Sequence, residues 1–210
     1  KKNNTFMIGN VLAIETSGSA CGVGIWQKNN SPIIVEEIGN RIHSEKLPEF
    51  INMALENCKL KINDIDSIAI SSGPGSYTGL RIGMSLAKGI AFGANIQLYP
   101  VNTIDSIILN LNIDINYTIL VYSHAGVVYE KKIIQNTETQ IKQVALKDVY
   151  IEPVICVNFP ENKRPLINAE YIYPSVNFIG QYFKNNFKNL VKQNIDEISP
   201  EYYSEFNIGK

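Results

Sequence analysis

The run Ser71-Ser72-Gly73-Pro74-Gly75-Ser76-Tyr77-Thr78-Gly79-Leu80-Arg81-Ile82-Gly83, continuing to Gly93, decides how the rest of the chain is organised. It follows the apolar, strand-like Ile68-Ala69-Ile70. Glycine reaches backbone angles closed to other residues and Pro74 fixes a torsion, so a tight, pre-shaped turn is expected at Gly73-Pro74-Gly75. Ser76 or Thr78 then caps the orphan N–H groups of a helix. Within that helix Gly79, Gly83, Ala87 and Ala91 recur at spacing four and share one face. Leu80, Ile82, Met84, Leu86, Ile90 and Phe92 take the remaining circumference. Glycine costs about 1 kcal/mol against alanine in a helix interior, and Gly79, Gly83 and Gly89 all incur it. Close approach of some backbone is therefore required. Such a ridge suits packing inside its own domain as well as contact with a partner helix, and spacing alone does not choose. The expectation taken forward places one side of the helix on a sheet of this chain. The ridge of Gly79, Leu80, Gly83, Met84, Ala87 and Ala91 then receives a partner.

Upstream, Val11-Leu12-Ala13-Ile14 is a short apolar run ending in the polar turn Glu15-Thr16-Ser17-Gly18-Ser19. Cys21 to Trp26 alternates small and large as a strand does, Asn29-Asn30 marks a turn, and Ile33 to Ile38 is a third strand. Tight connections make these an antiparallel meander. From about Glu45 to Lys59 the period becomes helical, with Leu47, Phe50, Ile51, Ala54, Leu55 and Cys58 on one face and Pro48 in the first turn. Downstream of the decisive run, Leu98 to Val101 is a strand, and Asn102 or Thr103 caps a helix through Leu111. This order predicts an α/β fold with a mixed sheet. In the second half, Thr118 to Tyr122 and Val127 to Gln135 read as strands. Val149 to Val157 reads as one or two more, and Asn177 to Val191 as a helix. A polar break near residues 112–116 divides the chain into subdomains at 1–113 and 114–210.

With 210 residues, 19 Lys plus Arg and 20 Asp plus Glu, the formal charge is −1 and both signs are dispersed. That pattern excludes an electrostatic nucleic-acid binder, which carries a basic patch or stripe. Cys21, Cys58 and Cys156 share no close spacing and read as small hydrophobes of a reducing compartment. The apolar Phe6-Met7-Ile8 is too short for a signal peptide and no stretch reaches membrane-spanning length. A cytoplasmic location is expected.

Two histidines, His43 and His124, cannot supply a closed zinc site or a metalloprotease helix. The glycine turn lacks the third glycine of the dinucleotide motif and the Gly-Lys-Ser/Thr of a Walker loop. A backbone nest there could hold an anion. The elbow G-x-S-x-G is missed, which leaves Ser76 with His43 or His124 as the conceivable nucleophile and base. The turn Glu15 to Ser19 looks like the phosphate-holding hairpin of the actin, sugar kinase and Hsp70 (ASKHA) group. Its expected counterpart, Val121 to Gly126, carries no carboxylate, so phosphoryl transfer lacks half its support. No catalytic residue, metal or cofactor is assigned.

Val11 to Ser17, His43-Ser44-Glu45 with Leu47-Pro48, and above all Ser72 to Gly83 resemble the TsaB family, also called YeaZ. The resemblance covers roughly residues 10–105. In the second half it is looser, through Val128-Tyr129 and Pro200-Glu201-Tyr202, and Ser123-His124-Ala125 stands where relatives often carry Asp-Ala-Arg. It implies an ASKHA-like fold with mixed sheets flanked by helices and two subdomains, the second degenerate. It also implies a non-catalytic subunit that partners a metal-bearing TsaD and a TsaE ATPase in transferring threonylcarbamoyl to the adenosine beside the anticodon of tRNAs. Contact with the partner runs through the first-half helices, and the same face often makes a homodimer; tRNA is met mainly through the complex. Gly73, Pro74, Gly75 and Ser76 form the shared turn, and Arg81 is a surface charge or a tie on it. Two other readings stand beside this one, a glycoprotease-like hydrolase and a weak nucleotide binder using Glu15 to Ser19 with the Gly73 turn.

Overall fold

The computed structural model describes residues 9–111, 115–135, 137–145, 150, 153–164 and 169–203. The reading of Lys1 to Ile8 lies outside the described residues, as do residues 112–114 of the expected break and 149, 151 and 152 of the expected third strand.

The meander forms as the spacing predicts. Strands β1 (Val11–Glu15), β2 (Ala20–Trp26) and β3 (Ile33–Ile38) pair antiparallel in succession. β4 (Ser67–Gly73) then joins β1 in parallel and β5 (Gln97–Asn102) joins β4 in parallel, giving the order β3-β2-β1-β4-β5. Every residue of β1, β2 and β4 is buried, because helices cover both faces of the sheet. One face sends Leu12, Ile14, Val23, Ile68 and Ile70 against α1 (His43–Cys58) and α2 (Tyr77–Ala94). The other sends Val11, Ala13, Trp26, Ala69 and Tyr99 against Val176, Ile179 and Phe183 of α4 (Val176–Asn186). Alternation along each strand assigns the two sets.

A second sheet takes the order β11-β10-β6-β7-β8, with β9 also paired to β7. Its strands are β6 (Tyr117–Tyr122), β7 (Val128–Ile134), β8 (Thr137–Glu138), β9 (Lys142–Val144), β10 (Val154–Val157) and β11 (Ala169–Ile172). The expected β6 and β7 are present, while β8, β9 and β11 are too short for their period to show in sequence. α3 (Thr103–Leu111), capped by Asn102 Oδ1 at the N–H groups of Ile104 and Asp105, lies with α4 between the sheets. Ile104, Ile107 and Phe178 meet the inner face of sheet 2. The chain's end returns to sheet 1, where Ile195 and Ile198 enter the core beneath α2. This α/β architecture of two sheets flanked by helices is the one expected. Among the described residues no helix is long and apolar enough to cross a membrane.

Candidate functional site

The C-terminal ends of β1, β4, β6 and β10 meet in a cleft of about 470 Å³ whose walls include Ser19, Arg41, Ser44, Thr78, Ile82 and Asn158. On the sheet 1 side the β1–β2 turn is drawn deep into the protein. Glu15 is fully buried, its Oε1 accepts the Ser17 N–H, and its Oε2 has no partner. Burial pushes the Glu15 carboxyl up to about 7, with contacts to Ser17 drawing it partly back and Glu36 adding to the rise. The Thr16 N–H donates to Ser71 Oγ at 3.1 Å, and the buried Thr16 Oγ1 is unpartnered.

The glycine turn sits directly on this seat. Gly73 takes φ +114°, open to glycine, and the Gly73–Pro74 bond is cis. The Ser76 N–H donates to the Ser17 carbonyl at 2.6 Å, and Ser76 Oγ caps α2 by accepting from the Gly79 N–H at 3.2 Å. Of the two expected caps, Ser76 is the one used. A methyl at Gly75 would collide with the Ser17 carbonyl, at Gly79 with the Thr16 carbonyl and at Gly83 with the Thr16 side chain.

That geometry corrects the expectation for the small-residue ridge. Gly79, Leu80, Gly83, Met84, Ala87 and Ala91 are all buried in this chain. The backbone they admit is that of the chain's own β1–β2 turn, and Ala87 and Ala91 continue the contact into the sheet 1 core. The opposite side of α2 differs. Ser85, Gly89, Phe92 and Gly93 are exposed, Phe92 to 81%, and a side chain built at Gly89 or Gly93 meets nothing within 4 Å. Half-buried Ile82, Leu86 and Ile90 border this strip, and Met53 is exposed on neighbouring α1.

The candidate nucleophile and bases are not assembled into a relay. His43 is buried with Nε2 3.2 Å from the Ala20 carbonyl, and burial lowers its pKa. His124 Nδ1 lies 2.9 Å from Ser123 Oγ, which itself donates to the Gly75 carbonyl, so the imidazole N–H is the donor to the hydroxyl. Ser76 is occupied as a helix cap.

Arg81 does not tie down the turn itself. Its guanidinium lies 3.9 Å from the Tyr77 ring centroid and its Nε donates to Tyr202 Oη at 3.0 Å. The turn is tied instead by Glu201, whose N–H donates to the Ser72 carbonyl at 2.7 Å. The Glu201 carboxylate accepts from Ser72 Oγ and Asn102 Nδ2, both at 2.9 Å. Sequence reading missed this strap's role, although Pro200-Glu201-Tyr202 was its signal. It missed Asn158 altogether. Asn158 sits at φ +60°, a position asparagine tolerates, and fastens Ser19.

A family model described as TsaD: tRNA N6-adenosine threonylcarbamoyltransferase matches residues 28–186, more than half of the chain. The tRNA threonylcarbamoyladenosine biosynthesis protein TsaB of Haemophilus influenzae is 35% identical over 94 residues, covering 45% of this chain and 39% of that protein. The chain belongs to the family that this model describes, and it is similar to TsaB proteins. YeaZ from Pseudomonas aeruginosa has the same fold, with TM-score 0.69 at 17% identity over 92% of this chain and 99% of that one. The tRNA N6-adenosine threonylcarbamoyltransferase of Tropheryma whipplei is 36% identical over 107 residues, 44% of this chain and 27% of that protein. The matches to these curated relatives thus span about two fifths or less of their length. TsaB/YeaZ likeness in sequence is concentrated in less than half of this chain, whereas likeness in fold runs through nearly all of it.

Proposed function

We propose that this chain is a non-catalytic subunit in tRNA threonylcarbamoyladenosine formation, and that it binds and supports a TsaD-type subunit through the outward face of α2 with neighbouring α1. The observation that carries this is the open strip of Ser85, Gly89 and Gly93 beside Phe92. A glycine in an exposed helix interior such as Gly89 costs about 1 kcal/mol against alanine, and no atom of the described residues lies within 4 Å of where a Cβ at Gly89 or Gly93 would stand. Phe92 supplies a large apolar anchor of the kind that dominates interfaces. The buried ridge from Gly79 to Ala91 acts one step back, seating α2 on the β1–β2 turn so that the outer strip is presented rigidly.

In this reading a TsaE-type ATPase and the tRNA are met through the assembled complex in the cytoplasm, and a homodimer uses the same strip when the partner is absent. The boundary at 113/114 in this reading separates the strands of the two sheets, while α4, Ile195 and Ile198 pack on sheet 1. The hydrolase reading gains nothing from the placement of Ser76, His43 and His124. The purified chain is expected to co-elute with a TsaD-type subunit in gel filtration, and Phe92→Asp to run separately while melting like the wild type. Co-elution of Phe92→Asp at wild-type strength would remove the proposed face from the account.

A further inference from the structure

We propose that Asn158 and Ser123 form a two-point latch that holds the two turns of sheet 1 against sheet 2 as one cooperative unit. The first point is Asn158 Oδ1, which accepts from both the N–H and the Oγ of Ser19, at 2.8 and 2.9 Å. Asn158 Nδ2 donates back to the Tyr122 carbonyl at 3.4 Å, so the side chain is anchored in sheet 2. The second point is Ser123 Oγ on the Gly75 carbonyl. These reach across from the ends of β10 and β6 to the two turns that sit on each other through Ser76 N–H and the Ser17 carbonyl. Helices α3 and α4 pack between the sheets, and the latch residues Ser19, Ser123 and Asn158 line the cleft.

Two facts make closure a balance. Hydrogen bonds between neutral groups at a partly wetted edge are worth only about 1 kcal/mol each. On the sheet 1 side Glu15 Oε2 is buried with no hydrogen-bond partner among the described residues, and such an atom is disfavoured relative to a hydrated one. The raised pKa of Glu15 agrees, since the closed state holds that carboxyl away from water. The titratable groups set against Glu15 are Glu36 on β3 and Cys21 on β2.

If the two points act as one unit, breaking either loosens both. Amide hydrogen exchange by NMR on the full chain reads this, with Ser19 N–H as reporter of the Asn158 point. Ser123→Ala removes no bond of Ser19, yet the latch predicts roughly tenfold loss of protection at Ser19, with amides inside β1 and β4 unchanged. Unaltered Ser19 exchange in Ser123→Ala overturns the latch, because the two contacts are then independent. Equal loss at Ile14 and Ile70 overturns it as well, because the variant then acts on the whole fold.

Discussion

The two long faces of α2 carry the same kind of sequence and meet opposite surroundings. Gly79, Gly83, Ala87 and Ala91 look inward, where the Thr16 carbonyl and hydroxyl occupy the space a side chain would need. Ser85, Gly89 and Gly93 keep the same spacing of four on the outward side, where nothing among the described residues stands within 4 Å of a Cβ built at either glycine. Small residues at helical spacing therefore announce close approach without naming who approaches. The inner stripe is accounted for by the chain itself; the outer one is the face we propose for a partner.

The strongest way to break this contrast is to enlarge an inner position. Gly83→Leu places a branched side chain against Thr16 and is expected to cost about 3 kcal/mol or more, the upper range for overpacking. Chemical denaturation checks it, and a variant as stable as wild type would mean the inner face is not closed. A second large effect concerns the seat of that face. Glu15 is raised from 4.5 to about 7 in the folded chain, so the native state binds the extra proton between those values. Its contribution to stability is complete below about 4.5 and is lost as pH rises through about 7. Glu15→Gln removes this dependence and is expected to be more stable than wild type at pH 8 by about 3 kcal/mol. Equal pH profiles of denaturation midpoint for the two proteins would show that Glu15 is not held neutral.

Gly79→Ala sharpens the comparison at lower amplitude. Better helix propensity works in its favour, but the Thr16 carbonyl is backbone and cannot swing aside, so a net loss of about 1–3 kcal/mol is expected. On the outer face the same change has the opposite sign. Gly89→Ala meets only solvent in the free chain and is expected to raise stability by up to about 1 kcal/mol. Matching signs at positions 79 and 89 in thermal melts would erase the distinction between the faces.

Legibility followed the same divide between local and distant causes. The turn at Gly73-Pro74-Gly75, the Ser76 cap, the Asn102 cap and the three-strand meander were readable because each depends on neighbours in sequence. The periodicity of Asn177 to Val191 announced a helix, which the structure ends at Asn186, but carried no sign that it would pack under sheet 1. Short strands such as Thr137–Glu138 have too few residues to show a period. Asn158 and Glu201 act on partners more than a hundred residues away, and single polar residues at such separations leave no pattern. The direction of the α2 ridge failed for a related reason. Thr16 fills the groove, and nothing in its own turn reveals that α2 will fold onto it.

The account rests most heavily on the outward strip as the partner's seat, and Gly89→Leu addresses it directly. Calorimetric titration of a purified TsaD-type subunit into wild type and Gly89→Leu, with parallel melting curves, gives affinity and integrity together. The account predicts a melting point equal to or above wild type with affinity reduced at least a hundredfold. Wild-type affinity in the intact variant would contradict it and leave the two outer glycines without an explanation.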